Sequence, residues 1–390
     1  MKQNTILFKA VSFLIVLLLL LGCVPFPSFA TNVTPEPPQA DCKSAVLMEA
    51  STGLILYEKN ADEALPPASV TKVMTLILVM EAMEKGKIQL TDMVTASAHA
   101  CSMGGSQIYL KEGEQMSVSD LLKSVVIASA NDAAVALAEH IAGSEESFVH
   151  MMNEKGKELG LTSSNFENTN GLDDTATNHV TSARDIAIMS RELLQYPKIT
   201  EYSSIWMDTI RDGAFGLTNT NRLIRFYKGA TGLKTGSTAK AGFCITATAK
   251  RNGMDLICVI MGAETRDIRN ATAVSLLDWG FSNYAVYVNQ RTRMENIRVL
   301  AGSKENCQVF CPEFRVVLKK NEIGNVVLQE NIPQTVSAPI QKGTVVGSIS
   351  YMLNGNEIGR SEIYADETIE RISFWQVAYQ LLCKTVLMWK

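Results

Sequence analysis

The chain has 390 residues, of which 46% are hydrophobic and 19% are charged, and its formal net charge is −4. This length accommodates one large domain and a smaller one, and the composition excludes the disordered and fibrous classes. No basic tract or stripe is present, so the sequence predicts no nucleic-acid partner.

The first thirty residues predict an exported protein. Lys2 and Lys9 make the start positively charged, and a small-residue cleavage motif ends at Ala30. The apolar run between them is shorter than the roughly 20 residues of a spanning helix, so residues 1–30 are predicted to be a cleaved signal peptide. Lipidation at Cys23 is an alternative, although Leu21 is larger than the residue usual at that position. The Pro-rich residues 31–41 are predicted to be a linker.

Eight cysteines are scattered along the chain. In a chain of this length they do not indicate a disulfide framework, and the sequence leaves any pairing open. Cys307 and Cys311 have no second pair and no histidine cluster nearby, so no zinc site is predicted.

Strand and helix patterns alternate through the next region. "SAVLMEASTGLILYEKN" predicts two short strands around a Ser-Thr-Gly turn. In "PPASVTKVMTLILVMEAMEKGK" apolar residues recur at helical spacing, and the helix is predicted to end near Gly86. Helical patterns dominate residues 117–195. Two apolar runs joined by Arg-Asn-Gly then predict a strand hairpin, and "ATAVSLLDWGFSNYA" predicts a helix.

The pattern changes near residue 290. Alternating residues with Gly and Asn turns predict a small β-rich domain over residues 290–368. Residues 371–390 carry apolar and aromatic side chains at helical spacing, with few charges. Such an amphipathic helix suits a membrane interface, and docking on the protein's own core is the alternative. For an exported chain, the sequence favours a membrane anchor.

Ser69 and Lys72 form a candidate reactive pair. Residues three apart on a helix share one face, and a hydroxyl at a helix start lies beside unsatisfied backbone N–H groups. A lysine among apolar residues near a positive dipole end should lose basicity, so it could take the proton of the serine. The alternative is a helix with Ser69 as its N-cap and Lys72 in solvent.

Two further motifs strengthen the catalytic interpretation. Ser-Ala-Asn at 129–131 joins two helical segments, and Lys-Thr-Gly at 234–236 is predicted to open a strand. In this order, the three motifs match the serine-acylating set of β-lactamases and penicillin-binding proteins.

The resemblance extends beyond these motifs. Residues 42–285 resemble the D-alanyl-D-alanine carboxypeptidases, the low-molecular-mass penicillin-binding proteins, and are predicted to be the catalytic domain. The segments that carry this likeness include "SANDAAVALAEHIAG", "NGLDD", "TSARDIAIM", "GLKTGSTAKAGFC" and "SLLDWGF". The resemblance implies an α/β (α+β) fold of the β-lactamase/DD-peptidase type. Its antiparallel sheet would be packed with helices and followed by a small all-β C-terminal domain.

The resemblance also implies catalytic roles for four side chains. Ser69 would attack the penultimate D-Ala carbonyl, and Lys72 would accept its proton. Ser129 together with Lys234 would return a proton to the leaving D-Ala amine.

Five further residues are implied in substrate binding. Asn131 would position the substrate amide, and Thr235 would face the terminal carboxylate together with the lysine of its motif. Gly236 belongs to the same segment, and the backbone N–H of Ser237 would join that of the nucleophile in an oxyanion hole. Arg269 would clamp the carboxylate through paired hydrogen bonds, and a surface arginine is the alternative.

Other residues are predicted to have lesser roles. Gly104 and Gly105 belong to a candidate loop over the site. His179 is predicted to be structural, and Arg266 to lie on the surface.

These features together predict an exported enzyme at the extracytoplasmic face. It would remove the terminal D-Ala from peptidoglycan stem peptides, be acylated by β-lactams, and need no metal or organic cofactor. Two alternatives stay open: a class A-like β-lactamase, and a non-enzymatic penicillin-sensing or wall-binding module. No convincing glutamate motif for rapid deacylation lies between Ser129 and Lys234, which disfavours the first alternative.

Overall fold

The computed structural model describes residues 35–289 and 294–387. The predicted signal peptide and residues 31–34 of the predicted linker lie outside the described residues, and residues 35–41 form neither helix nor strand.

Strands and helices alternate through the first part of the chain. In chain order its strands are β1 (Ser44–Glu49), β2 (Ile55–Lys59), β3 (Met93–Thr95), β4 (Gln115–Ser117), β5 (Met207–Ile210), β6 (Phe215–Thr218), β7 (Ala230–Thr238), β8 (Gly242–Arg251) and β9 (Met254–Ala263). Its helices are α1 (Lys72–Glu84), α2 (Ala98–Cys101), α3 (Val118–Lys123), α4 (Asn131–Ala142), α5 (Glu145–Glu158), α6 (Ala183–Leu193), α7 (Pro197–Ser203), α8 (Leu223–Phe226) and α9 (Arg266–Asn283). A 3-10 turn, Ala68–Thr71, precedes α1, and a π-helical turn, Ser124–Ala128, follows α3.

The central sheet is antiparallel, with the strand order β2-β1-β9-β8-β7 among the described residues. The predicted hairpin is confirmed as β8–β9. Asn252 and Gly253 form its turn with φ of 50° and 77°, as a two-residue hairpin with positive φ at both positions requires. Lys-Thr-Gly lies in the middle of β7 and does not open the strand, because pairing with β8 already begins at Ala230.

Helices cover both faces of this sheet. Alternate residues of β9 therefore enter two different cores: Ile257 and Val259 lie on the face covered by α6, and Leu256 and Cys258 lie on the face covered by α9. Both pairs are fully buried, which explains why β9 is a continuous apolar run and not an alternating one.

The helical region predicted for residues 117–195 is interrupted. Residues 159–182 form turns and isolated bridges, including Leu65 with Thr181 and Asn165 with Val180. This stretch is rich in Asn, Asp, Gly and Thr, whose side chains hydrogen-bond the backbone locally and favour turns over helix.

The second part of the chain is rich in strands, as predicted. Its strands are β10 (Tyr284–Asn289), β11 (Ile297–Leu300), β12 (Asn306–Cys307), β13 (Val309–Phe310), β14 (Phe314–Lys319), β15 (Val326–Asn331), β16 (Thr335–Ser337), β17 (Val345–Leu353) and β18 (Asn356–Ala365). Its small core contains Ile349, Ile363 and Tyr351, and the ring of Phe314 stacks on Tyr351 at a centroid distance of 3.8 Å. The cysteines of the described residues are free thiols.

The last described element is α10 (Phe374–Leu387). Its aromatic residues are largely exposed, with Phe374, Trp375 and Tyr379 at 77%, 79% and 72% of full accessibility. The alternative of a helix docked on the protein's own core does not fit these exposures. No helix in the described ranges is both long and apolar enough to span a membrane.

Candidate active site

The nucleophile candidate Ser69 lies in the 3-10 turn, immediately before α1. Ala68 adopts a positive φ of 49°, and the hydroxyl of Thr71 donates a 2.8 Å hydrogen bond to its carbonyl. Lys72 is the first residue of α1, so the turn and the helix start bring the two side chains together. The Lys72 Nζ to Ser69 Oγ distance is 2.9 Å.

Lys72 is fully buried, and three oxygens surround its amine. Besides Ser69, Nζ donates to Asn131 Oδ1 at 2.5 Å and to the Asn170 carbonyl at 2.8 Å. Burial lowers the pKa of Lys72 well below its ordinary value, and the positive charge of Lys234 lowers it further. The alternative of a solvent-exposed lysine is wrong, since the apolar helix carries this residue into the core.

The side chain of Asn131 is held in one orientation. Its Nδ2 donates to the Gly104 carbonyl at 2.7 Å, which turns Oδ1 toward Lys72. The Asn131 backbone N–H also donates to the Ser106 carbonyl at 2.7 Å. A Cβ at Gly105 would lie 2.9 Å from Asn131 Nδ2, so this loop packs directly against the site.

Ser129 and Lys234 form the second polar pair. Ser129 follows the π-helical turn with φ of 63°, and Lys234 Nζ donates to its Oγ at 2.7 Å. Lys234 is buried, and desolvation, with the charge of Arg269, lowers its pKa to about 7. An amine of this pKa can exchange a proton near neutral pH.

The strand β7 passes very close to the nucleophile turn. A Cβ at Gly236 would lie only 2.6 Å from the backbone nitrogen of Ser69, so this position has no space for a side chain. Ser237 follows directly on the same strand. Thr235 Oγ1 donates to Thr220 Oγ1 at 2.8 Å, which links β7 to the segment before α8.

Arg269 lies in the first turns of α9 and is 3% exposed. Its guanidinium donates to the Cys244 carbonyl and to Asn270 Oδ1, and it has no carboxylate partner among the described residues. Burial, followed by the nearby charge of Arg266, lowers its pKa to about 10. A buried cation without a counter-ion is costly, so the arrangement suits an anionic ligand.

One cleft of about 660 Å³ joins these groups. The predicted residues Ser69, Ser129, Thr235, Ser237 and Arg269 line it, as does the backbone at Gly236. The side chains of Lys72 and Lys234 are buried and contact the cleft hydroxyls of Ser69 and Ser129, and the buried Asn131 side chain contacts the Lys72 amine.

Several site residues did not emerge from the sequence. The Asn170 carbonyl is a backbone group, so no side-chain type signals it, although the quoted "NGLDD" contains the residue. Arg266 is exposed, as predicted, and it also lines the cleft, together with Trp206, Arg222, Arg225 and Phe226.

His179 is close to the site but does not line the cleft. Its Nε2 donates to the Thr71 hydroxyl at 2.7 Å, and its Nδ1 accepts from the Glu167 backbone N–H at 2.9 Å. These contacts fit the structural role predicted for it.

Two family models match consecutive parts of the chain. A model described as D-alanyl-D-alanine carboxypeptidase matches residues 31–265, and one described as the C-terminal domain of penicillin-binding protein 5 matches residues 281–371. A D-alanyl-D-alanine carboxypeptidase from Bacillus subtilis, DacF, is 45% identical over 86% of this chain and 87% of its own length.

Solved structures show the same likeness. Penicillin binding protein 5 from Haemophilus influenzae has a TM-score of 0.73 at 33% identity, covering 86% of this chain and 100% of the other. Penicillin-Binding Protein D2 from Listeria monocytogenes, solved in an ampicillin-bound form, has a TM-score of 0.58 at 31% identity, covering 63% of this chain and all of the other. These matches favour the peptidase over the β-lactamase alternative. The predicted resemblance is confirmed, and the chain belongs to the D-alanyl-D-alanine carboxypeptidase family.

Proposed function

We propose that this cleft removes the terminal D-Ala from pentapeptide stems of peptidoglycan through an acyl-enzyme on Ser69. The observation that carries this proposal is the fully buried Lys72 amine, 2.9 Å from the Ser69 hydroxyl and with a strongly lowered pKa. A hydroxyl is a weak nucleophile at neutral pH, and an adjacent base of low pKa activates it.

The hydrogen bonds of Lys72 suit a neutral amine. A neutral amine has two N–H donors and one lone pair, and two of its three neighbours, Asn131 Oδ1 and the Asn170 carbonyl, can only accept. The lone pair is then directed to the Ser69 hydroxyl. As Ser69 Oγ forms its bond to the substrate carbonyl carbon, its proton passes to Lys72. The resulting ammonium keeps all three partners.

Backbone groups would stabilise the negative charge that develops on the carbonyl oxygen. The Ser69 N–H lies beside Gly236, and Ser237 follows on the same strand. One such donor is typically worth about 2.7–4 kcal/mol in the transition state. The absent side chain at Gly236 lets both donors approach one oxygen.

Ser129 and Lys234 would serve the leaving group. As the C–N bond breaks, the Ser129 hydroxyl gives its proton to the leaving D-Ala nitrogen and regains one from Lys234, 2.7 Å away. The lowered pKa of Lys234, about 7, makes it a stronger acid than an ordinary lysine, so it can resupply this proton.

The terminal carboxylate of the substrate would lie between Thr235 and Arg269. Arg269 is buried without a carboxylate partner in the described part of the chain, and a bound carboxylate would supply one. Asn131 would contribute its amide to the substrate backbone, held in place by Gly104.

Lys72 becomes neutral again once its extra proton replaces the one that Lys234 gave up for the leaving amine. Water then attacks the ester carbonyl, Lys72 takes a proton from that water, and it returns the proton to Ser69 Oγ as the ester C–O bond breaks.

β-Lactams would occupy the same groups. Their carboxylate and strained amide resemble the D-Ala-D-Ala end, and ring opening on Ser69 leaves no departing amine to vacate the cleft. The ampicillin-bound form of the Listeria monocytogenes relative supports this expectation.

The two ends of the chain complete the proposal. Residues 1–30 would direct export, and α10 would hold the enzyme at the extracytoplasmic face of the cell membrane through Phe374, Trp375 and Tyr379, which are all largely exposed. Deleting residues 371–390 should move the protein from the membrane to the soluble fraction. Unchanged fractionation would refute the anchor.

The decisive experiment combines two substrates. The purified protein should release D-Ala from a diacyl-L-lysyl-D-alanyl-D-alanine peptide and form a long-lived adduct with fluorescent penicillin. Ser69→Ala should abolish both, while Ser102→Ala, outside the cleft lining, serves as the matched control. Rapid penicillin turnover would point to a β-lactamase, and acylation without D-Ala release to a sensing module.

A further inference from the structure

The active-site cleft continues beyond the residues that the proposed reaction uses. We call the part of the cleft past Thr235 and Arg269 the extension. Its wall is formed by residues between the start of the β5–β6 hairpin and α8: Trp206, Thr218, Asn219, Thr220, Arg222, Arg225 and Phe226. A leaving D-Ala has only a methyl side chain, so it cannot fill this extension.

The extension lies on the leaving-group side of Ser69. Thr220 accepts the hydrogen bond of Thr235, and Arg222 is close enough to Arg269 for its charge to lower the pKa of that guanidinium. Thr235 and Arg269, the two groups that would hold the terminal carboxylate, therefore each interact with a residue of this wall. A side chain on the last residue of the substrate would therefore point toward this wall.

Positive charge predominates in the cleft. Four arginines line it, Arg222, Arg225, Arg266 and Arg269, and no Asp or Glu is among the described lining residues. None of the four makes a salt bridge within the described ranges, whereas Arg184 and Arg211 elsewhere pair with carboxylates. Arg269 is buried and the other three arginines are exposed to solvent, so an anion that enters the cleft would meet four cations that make no salt bridge within the described residues.

Arg225 is separate from the cations around the terminal carboxylate. Its guanidinium lies 5.6 Å from the ring centroid of Trp206 and 5.7 Å from that of Phe226. The Trp206 Nε1 is buried and has no hydrogen-bond partner in the described residues. A buried N–H without an acceptor is costly, so a ligand that supplies one after a small rotation of the indole ring exposes Nε1 would be stabilised here.

We propose that Trp206, Arg225 and Phe226 form a subsite for the side chain of the leaving residue, and that this subsite favours a D-amino acid whose side chain ends in a carboxylate. The inference rests on the proposed function, because it concerns the residue that this reaction expels. The chemistry is unchanged: the peptide C–N bond breaks, the acyl group stays on Ser69, and the D-amino acid leaves with a protonated amine.

The test uses one acyl part, diacyl-L-lysyl-D-alanyl, followed by D-Ala, D-Gln or D-Glu. D-Gln and D-Glu have the same shape, so their comparison isolates the charge. We expect kcat/KM for D-Glu to exceed that for D-Gln by about threefold, the scale of a solvent-exposed ion pair, mainly through a lower KM. Raising the salt concentration should reduce this ratio because it screens the charges.

Substitutions test which residues cause the preference for D-Glu over D-Gln. Arg225→Gln should bring the D-Glu to D-Gln ratio close to one, and Trp206→Phe, which keeps an aromatic ring but removes the N–H, should lower it. Lys228→Gln removes an exposed positive charge that does not line the cleft, so it should keep the ratio of the unaltered protein.

The outcomes separate the two proposals. Without release of D-Ala from the D-Ala peptide, the proposed function fails. With D-Ala release but no preference for D-Glu over D-Gln, the proposed function stands and the subsite is overturned. A preference that persists in Arg225→Gln, with fluorescent-penicillin labelling showing an intact site, also overturns it.

Discussion

Replacing His179 should change how the stability of the protein depends on pH. The imidazole is 6% exposed, donates through Nε2 to Thr71, and accepts at Nδ1 from the Glu167 N–H. Only the neutral ring can make both bonds, because a proton on Nδ1 would face another N–H. Thr71 in turn holds the Ala68 carbonyl, so the histidine supports the turn that carries Ser69.

The size of the loss in unfolding free energy follows from the pKa of His179. Burial lowers the pKa of His179 from 6.5 to about 4, although the carboxylates of Glu167 and Asp173 oppose the shift. The unfolded chain therefore binds the proton at a higher pH than the folded protein does. Stability from this group is complete above the unfolded pKa and declines as pH falls toward 4. Between pH 7.5 and 4.5 the free energy of unfolding should fall by about 2.5 kcal/mol from this residue alone.

Urea unfolding at the two pH values measures this loss. His179→Gln has no proton to bind, so its free energy of unfolding should change by about 2.5 kcal/mol less than that of the unaltered protein. His140→Gln replaces an exposed histidine and should behave like the unaltered protein. Equal pH-dependent losses for His179→Gln and the unaltered protein would refute the argument, whatever the absolute stability of the variant.

Three substitutions test the active site. Gly236→Ala should slow acylation by fluorescent penicillin by about a hundredfold without unfolding the protein, because the new Cβ would lie 2.6 Å from the Ser69 nitrogen. An unchanged acylation rate would show that this nitrogen is not part of the oxyanion hole. Arg269→Ala should reduce turnover of a peptide with a free carboxylate far more than turnover of its amidated analogue, and equal losses would contradict the clamp. Lys72→Arg replaces the neutral amine with a permanently charged guanidinium that cannot accept a proton, so acylation should fall by about a hundredfold or more, whereas Lys240→Arg should leave it unchanged.

Local motifs were sufficient to predict the groups at the centre of the site. Ser69 and Lys72 are three residues apart, so helical geometry alone brings their side chains together. The Asn-Gly hairpin at 252–253 was equally local, because its turn type depends on two adjacent residues. The low pKa of Lys72 was predictable in direction, since an apolar helix carries the amine into the core.

Contacts between distant segments required the tertiary structure. The Asn170 carbonyl that faces Lys72 belongs to a turn region that the helical pattern of residues 117–195 concealed. The sequence predicted a surface position for Arg266 and did not identify Arg222 or Arg225, because nothing in it shows that the three share one cleft with Arg269.

Residue types and short spacings are local properties, so the amino-acid sequence was enough to identify the chemical groups of this enzyme. Which of these groups are buried, which are left without a partner, and how far the cleft extends became evident only in the folded protein. Desolvation and charge pairing depend on everything that packs around a group, and most of those neighbours come from remote parts of the chain.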